Sequence, residues 1–187
     1  MAAGRAVGAA LDLDRLLLVV ANDPWQKSPT RAITPAEDRF AMAEALAAEI
    51  PGAEASRMEI DRGGPSYTVL TAEALRAEAA GAGLPAPALY LVVGADLVAD
   101  LGTWERSEDL KALVTLAVVS RPPPSAASAP EPAVPPGWRV EWVRGPRVDV
   151  SSSAVRDVLA RGAAIDDLVP AGVVRCIRRR NLYAVGR

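Results

Sequence analysis

The chain has 187 residues, half of them hydrophobic, and a formal net charge of −2. That length fits a single domain over 1–187 with a sizeable core, and the charge argues against nucleic acid as a partner held by bulk positive potential. Cys176 is the single cysteine, which excludes an intrachain disulfide and a multi-cysteine zinc site and reads as a packing residue.

Ala2 to Leu11 is alanine-rich and helix-permissive, with Gly4 and Gly8 weakening it. Leu11 to Ala21 is interrupted by Asp12, Asp14 and Arg15, so it is neither a signal h-region nor a membrane span. The plain reading is a cytoplasmic globular protein. Leu16 to Val20 is a short apolar run that predicts a buried parallel strand. Ala21 to Thr34 reads as a loop. Thr34-Pro35-Ala36-Glu37 predicts a helix start with Thr34 as the cap, running to about Ile50 before Pro51-Gly52 stops it.

Ala55 to Asp61 alternates and predicts a strand. Arg62-Gly63-Gly64-Pro65 is a turn, and Tyr67 to about Ala80 a helix. Ala88 to Val93 predicts a second buried strand, ending at Gly94. Glu105 to Ala112 is a short helix and Val114 to Ser120 a strand. The Pro/Ala/Ser-rich stretch 121–136 reads as a mobile surface loop. Arg139 to Val143 is a strand, Ser152 caps a helix to Arg161, and Pro170 opens a last helix to about Arg179. Strands alternating with helices imply an α/β fold with a doubly wound, Rossmann-like parallel sheet.

Four constellations could carry chemistry, and each has a plainer reading. Gly94-Ala95-Asp96 closes a buried strand: glycine lets a ligand approach the backbone at the carboxyl edge of the sheet, and Asp96 could bind a ribose hydroxyl or a magnesium-bound phosphate. Otherwise Asp96 caps the next helix. Ser151-Ser152-Ser153-Ala154-Val155-Arg156 gathers hydroxyls, free backbone N–H groups and a guanidinium at a helix N-terminus, a ready phosphate site; otherwise it is an ordinary cap with a solvated Arg156. Trp104 could stack on an aromatic ligand ring or close the core. Lys27, one of two lysines in the chain, could contact phosphate or be solvated. Trp138 and Trp142 read as packing, and Arg178-Arg179-Arg180 as a solvated helix end. Neither GxxxxGK[ST] nor a strand-following GxGxxG occurs.

Taken together, these blocks resemble bacterial nicotinate-mononucleotide adenylyltransferase from about Leu11 to Tyr183. Thr34 to Arg39 and Ser66-Tyr67-Thr68 resemble its helix start and substrate loop. Gly94-Ala95-Asp96 with Thr103-Trp104 is similar to its GAD...W signature, Val150 to Arg156 to its ISSTxIR motif, and Asn181-Leu182-Tyr183 to its ending. Pro24-Trp25-Gln26-Lys27 and Asp61 to Pro65 resemble the actinobacterial branch. Leu70 stands where a YTxDT pattern has its acidic residue, and Ser153 where ISSTxIR has Thr.

The resemblance implies a nucleotidylyltransferase fold and transfer of AMP from ATP, with Mg2+, to nicotinate mononucleotide, giving deamido-NAD and pyrophosphate in NAD biosynthesis. By the same resemblance, Trp104 would stack on the nicotinate ring. The backbone at Glu105 and the Tyr67-Thr68 loop would hold its carboxylate. Gly94 and Asp96 would meet the substrate's ribose or metal region, and Lys27 a phosphate. Ser151, Ser152, Ser153 and Arg156 would cradle the triphosphate, with Lys27 and Arg156 the candidates for catalytic charge stabilisation.

The family also opens on a GGTFDPxHxGH loop, whereas this chain contains no histidine, and Met1 stands where that loop would end. The expectation is that the family's first strand is missing and that Met1 is an internal residue of a longer protein. Two other readings stay open: a non-catalytic nucleotide-binding remnant, and the same fold acting on nicotinamide mononucleotide or phosphopantetheine. No membrane partner is expected, and a homo-oligomer is left open.

Overall fold

A computed structural model describes residues 2–24, 33–120, 133–146 and 150–183. The elements run α1 (Ala2–Leu11), β1 (Leu16–Val19), α2 (Ala36–Ala47), β2 (Ala53–Ser56), α3 (Met58–Arg62), α4 (Thr68–Gly81) and β3 (Leu89–Gly94). A 3-10 helix (Ala95–Thr103), α5 (Ser107–Leu113), β4 (Val114–Ser120), β5 (Val140–Arg144), α6 (Ser152–Ala160) and α7 (Ala171–Arg179) complete the order.

Every ladder is parallel, as the alternation of strands and helices predicts. The strands fall in two sheets, β1-β2 and β3-β4-β5. Leu16 pairs with Ala53 and Val19 with Ser56; Leu91 pairs with Leu116, and Val118 with Trp142. Among the described residues, no ladder joins the two sheets.

The three-stranded sheet has helices on both faces. On one, Leu116 and Val118 meet Val98 and Leu101 of the 3-10 helix, with Trp104, Trp138 and Trp142 packed around them. On the other, Ala117 and Val143 meet Val7 of α1. Burial on both faces explains the apolar run Leu116-Ala117-Val118-Val119 within β4. Complete burial of Leu101 and Leu116 contributes about 1.5–3 kcal/mol each. A third cluster joins α2, α6 and α7 through Val155, Ile165, Val174 and Ile177. Cys176 lies buried within α7, as its packing role requires.

Several expectations shift. β1 is apolar but only half-buried along its length, and among the described residues it pairs with β2 alone. The strand expected at 55–61 lies at Ala53–Ser56, and Met58–Arg62 is helical. The β1-β2 register ends at the Val19–Ser56 pair, and beyond it the Ser56 hydroxyl accepts from the Met58 amide (3.4 Å) at the start of α3. Pro35, not Thr34, stands at the α2 cap, without a side-chain cap bond. The helix expected at Glu105–Ala112 is Ser107–Leu113, because Arg106 takes a left-handed conformation (φ 48°) just before it. Residues 121–132 of the expected mobile loop lie outside the described residues.

Candidate active site

The carboxyl ends of the parallel strands set the candidate site. Beyond β1, the chain turns at Asn22 and Asp23, which hold the turn leading into α4. The Asn22 amide donates to Ser66 Oγ (2.8 Å) and its side chain to the Gly64 carbonyl (3.0 Å). The Ser66 amide donates to the Asp23 carbonyl (3.0 Å), and Asp23 bridges to Pro65 as in a parallel ladder. Gly63 and Gly64 both have positive φ, 72° and 67°, which a side chain would strain. Tyr67 follows as the extended cap of α4, and Thr68 opens the helix.

Beyond β3, Gly94 has ordinary φ (−72°). Its role is steric: a Cβ there would lie 2.5 Å from Asp96 Oδ1, so the Asp96 carboxylate folds back over the strand end. Asp96 is exposed in the first turn of the 3-10 helix, and the cap position is held by Gly94 rather than by an Asp96 side-chain bond. Trp104 ends that helix in an extended conformation. It is half-buried and touches two core clusters, including the one built on Val69, Ala72, Leu110 and Val114. Tyr67 packs on that same cluster. Of the expected site residues, Tyr67 and Trp104 thus share one packing cluster, while Gly94 and Asp96 are linked to Trp104 through the 3-10 helix Ala95–Thr103.

Arg106 anchors the Trp104-Glu105 segment. Its guanidinium meets Glu73 of α4 and Asp109 of α5, both at 2.6 Å. These hydrogen bonds, with Glu73 first, raise its pKa above the ordinary value. Glu105 itself is exposed.

The serine block stands apart. Ser151 caps α6, its Oγ accepting from the Ala154 amide (3.1 Å), one residue earlier than the expected cap at Ser152. Ser152 lacks that role because it already lies within the first turn. Ser153 accepts from Arg156 Nη2 (3.3 Å), and all three serines are exposed. α6 packs through Val155 on the α2–α7 cluster rather than on the Tyr67-Trp104 cluster. Lys27 lies outside the described residues. The arginines expected to form a solvated end are partly engaged: Arg178 meets Asp166 (2.8 Å) and Arg180 meets Asp38 (2.9 Å).

Arg39 was not singled out by sequence. From α2 it donates through Nε to the Thr34 carbonyl (2.8 Å), through Nη2 to the Asn22 carbonyl (2.8 Å), and through Nη1 to the Ala21 carbonyl. Burial pulls its pKa below the ordinary value, against opposing contributions from Tyr183 and Asp23. Glu59 and Thr71, a buried hydrogen-bonded pair joining α3 to α4, were missed as well. The available signal was position: Asn22-Asp23 directly follows a strand, and Arg39 sits in the block matched to the family's helix start.

The parallel α/β layout is that of a nucleotidyltransferase of the cytidylyltransferase-like class, and the family described as Cytidylyltransferase-like matches residues 5–158. A Streptomyces coelicolor protein named "probable nicotinate-nucleotide adenylyltransferase" is 39% identical over 98% of this chain and 92% of its own length. One of the same name from Acidothermus cellulolyticus is 36% identical over 98% and 86%. The chain belongs to the nicotinate-nucleotide adenylyltransferase family. A solved Plasmodium falciparum nicotinic acid mononucleotide adenylyltransferase, complexed with APC, shares the fold with a TM-score of 0.68 at 14% identity, covering 97% of this chain and 88% of that one. The same parasite enzyme complexed with NaAD gives 0.63 at 16%, covering 95% and 90%.

Proposed function

We propose that this chain transfers AMP from ATP to nicotinate mononucleotide, releasing pyrophosphate and deamido-NAD. The observation that carries this reading is that Tyr67 and Trp104 pack on one cluster, with Trp104 closing the 3-10 helix that Gly94 and Asp96 open at the carboxyl end of β3. An aromatic face and a helix start there suit a flat ring bearing a carboxylate. The names of relatives across the chain's length support the same substrate.

The mononucleotide phosphate attacks the α-phosphorus in line while pyrophosphate departs. The attacking oxygen is already ionised near neutral pH, so no protein base is required. The chain's task is positioning and charge stabilisation. Trp104 would stack on the ring, with the Glu105 backbone and Tyr67-Thr68 at its carboxylate. Asp96 would meet the ribose or the ion. Lys27, Ser151, Ser152, Ser153 and Arg156 would receive phosphate oxygens. Magnesium would enter with ATP and supply charge neutralisation at its phosphates, with Asp96 the residue that would meet it.

The test is incubation with ATP and nicotinate mononucleotide, with product read by mass spectrometry. Deamido-NAD with equimolar pyrophosphate is expected. A stronger yield from nicotinamide mononucleotide would replace the acid by the amide.

A further inference from the structure

Asn181-Leu182-Tyr183 lies outside the residues proposed to touch substrate, and it is held in a defined place. Asn181 and Tyr183 both take positive φ, 49° and 64°, a conformation uncommon for residues other than glycine. The Leu182 amide closes onto the Ile177 carbonyl (3.0 Å), and Leu182 and Tyr183 pack on the α2–α7 cluster. The Tyr183 hydroxyl then meets Thr34 Oγ1 at 3.0 Å. One turn into α2, Arg180 pairs with Asp38. The end of the described chain is thus fastened to the start of α2 at two points.

Thr34 is also where Arg39 begins its reach. The Arg39 guanidinium serves three backbone carbonyls, those of Ala21, Asn22 and Thr34. Asn22 in turn holds Gly64 and Ser66, and Asp23 holds Ser66 and Pro65. Ser66 is followed directly by Tyr67 and Thr68. A continuous run of hydrogen bonds therefore leads from Tyr183 through Thr34 and Arg39 to the start of α4. The turn it reaches contains two positive-φ glycines, so the backbone there is the kind that needs outside restraint. A planar five-donor fork can satisfy three divergent carbonyls at once, whereas an ammonium group is a single point.

We propose that Arg39, braced by Tyr183 through Thr34, is a positioning residue for the mononucleotide subsite: it fixes Ala21 and Asn22 beyond β1, which fix the 63–66 turn and with it Tyr67-Thr68. This rests on the substrate reading above. Arg39 touches no proposed substrate atom, and its hydrogen bonds run to Ala21, Asn22 and Thr34 and on to the 63–66 turn, so its effect falls on the mononucleotide more than on the ATP contacts proposed at the start of α6.

The experiment compares wild type, R39K and Y183F by calorimetry with nicotinate mononucleotide and with ATP separately, and by hydrogen exchange of the segment 63–68. R39K is expected to bind the mononucleotide about tenfold more weakly, the loss of roughly one hydrogen bond from a charged donor. ATP affinity should stay within about twofold, and the Ser66 and Gly63 amides should exchange faster. Y183F, which removes only the hydroxyl, should move the same readouts in the same direction by a smaller factor. Equal loss of both ligands, or unchanged exchange at 63–68 in folded R39K, overturns the proposal. A wild-type chain that binds ATP but not the mononucleotide overturns the substrate reading and the subsite assignment with it, and the exchange data still show whether Arg39 sets the turn.

Discussion

Trp104 stands between two tasks, because it both packs on the core and remains partly exposed. If it stacks on the nicotinate ring, Trp104→Ala weakens the mononucleotide by about tenfold while ATP changes little, in line with an aromatic contact plus its buried area. Titration of each ligand separately reads this, and equal weakening of both would leave Trp104 as core packing alone. Gly94 gives a sharper residue-level case. Its φ suits any residue, so Gly94→Ala strains no backbone, but the added methyl drives into Asp96 Oδ1. The cheap response is rotation of the Asp96 carboxylate, costing about 0.5–1.5 kcal/mol if it leaves a rotamer well. The expected result is a melting temperature lowered by only a few degrees with a much larger loss of dinucleotide synthesis. Full activity in the variant would show that the Asp96 orientation is immaterial.

At the level of elements, α6 carries a cap whose worth can be measured. Ser151→Ala removes the Oγ bond to the Ala154 amide and should cost about 1 kcal/mol, a melting shift of about 2–4 °C at this chain length. Ser152→Ala removes no cap bond and should shift melting by much less; a larger shift from Ser152 would overturn the cap assignment. Elements were most legible in sequence where the pattern was local. Val114 to Ser120 reads as a strand because every residue of it suits a sheet covered on both faces, and Pro170 marks the start of α7 by its fixed φ. Met58 and Ile60 alternate just as strand residues do, but the ladder that would continue them stops at Ser56, a fact residing in β1. The same holds for the site. Gly94, Asp96 and Trp104 are legible because they share a short segment, whereas the reach of Arg39 to Ala21 and of Tyr183 to Thr34 spans 18 and 149 residues and leaves no periodicity to read.

Across the whole molecule, the two parallel sheets have no common strand among the described residues, and their coupling runs through other parts. α1 is one bridge: Val7 fills the space between Ala117 and Val143 of the larger sheet, while Arg5 donates to the Glu49 carbonyl (2.6 Å) and Gly4 lies so near Leu16 that a Cβ would sit 2.9 Å from its Cδ2. The Asn22–Ser66 contact is another. Tyr90 and Val92 on β3 remain more than a third exposed, on the same face of the sheet as Ala117 by register. Trp104, Trp138 and Trp142 all pack on the larger sheet, so tryptophan fluorescence reports largely on that half and far-ultraviolet circular dichroism on the whole. Val7→Ala removes two buried methyl groups and should cost about 1–2.5 kcal/mol, while loosening the tie between the halves. Urea unfolding followed by both probes should then give midpoints that separate further in Val7→Ala than in wild type. Coincident midpoints in the variant would mean that the Asn22–Ser66 contact and its neighbours suffice to make the two sheets a single cooperative unit.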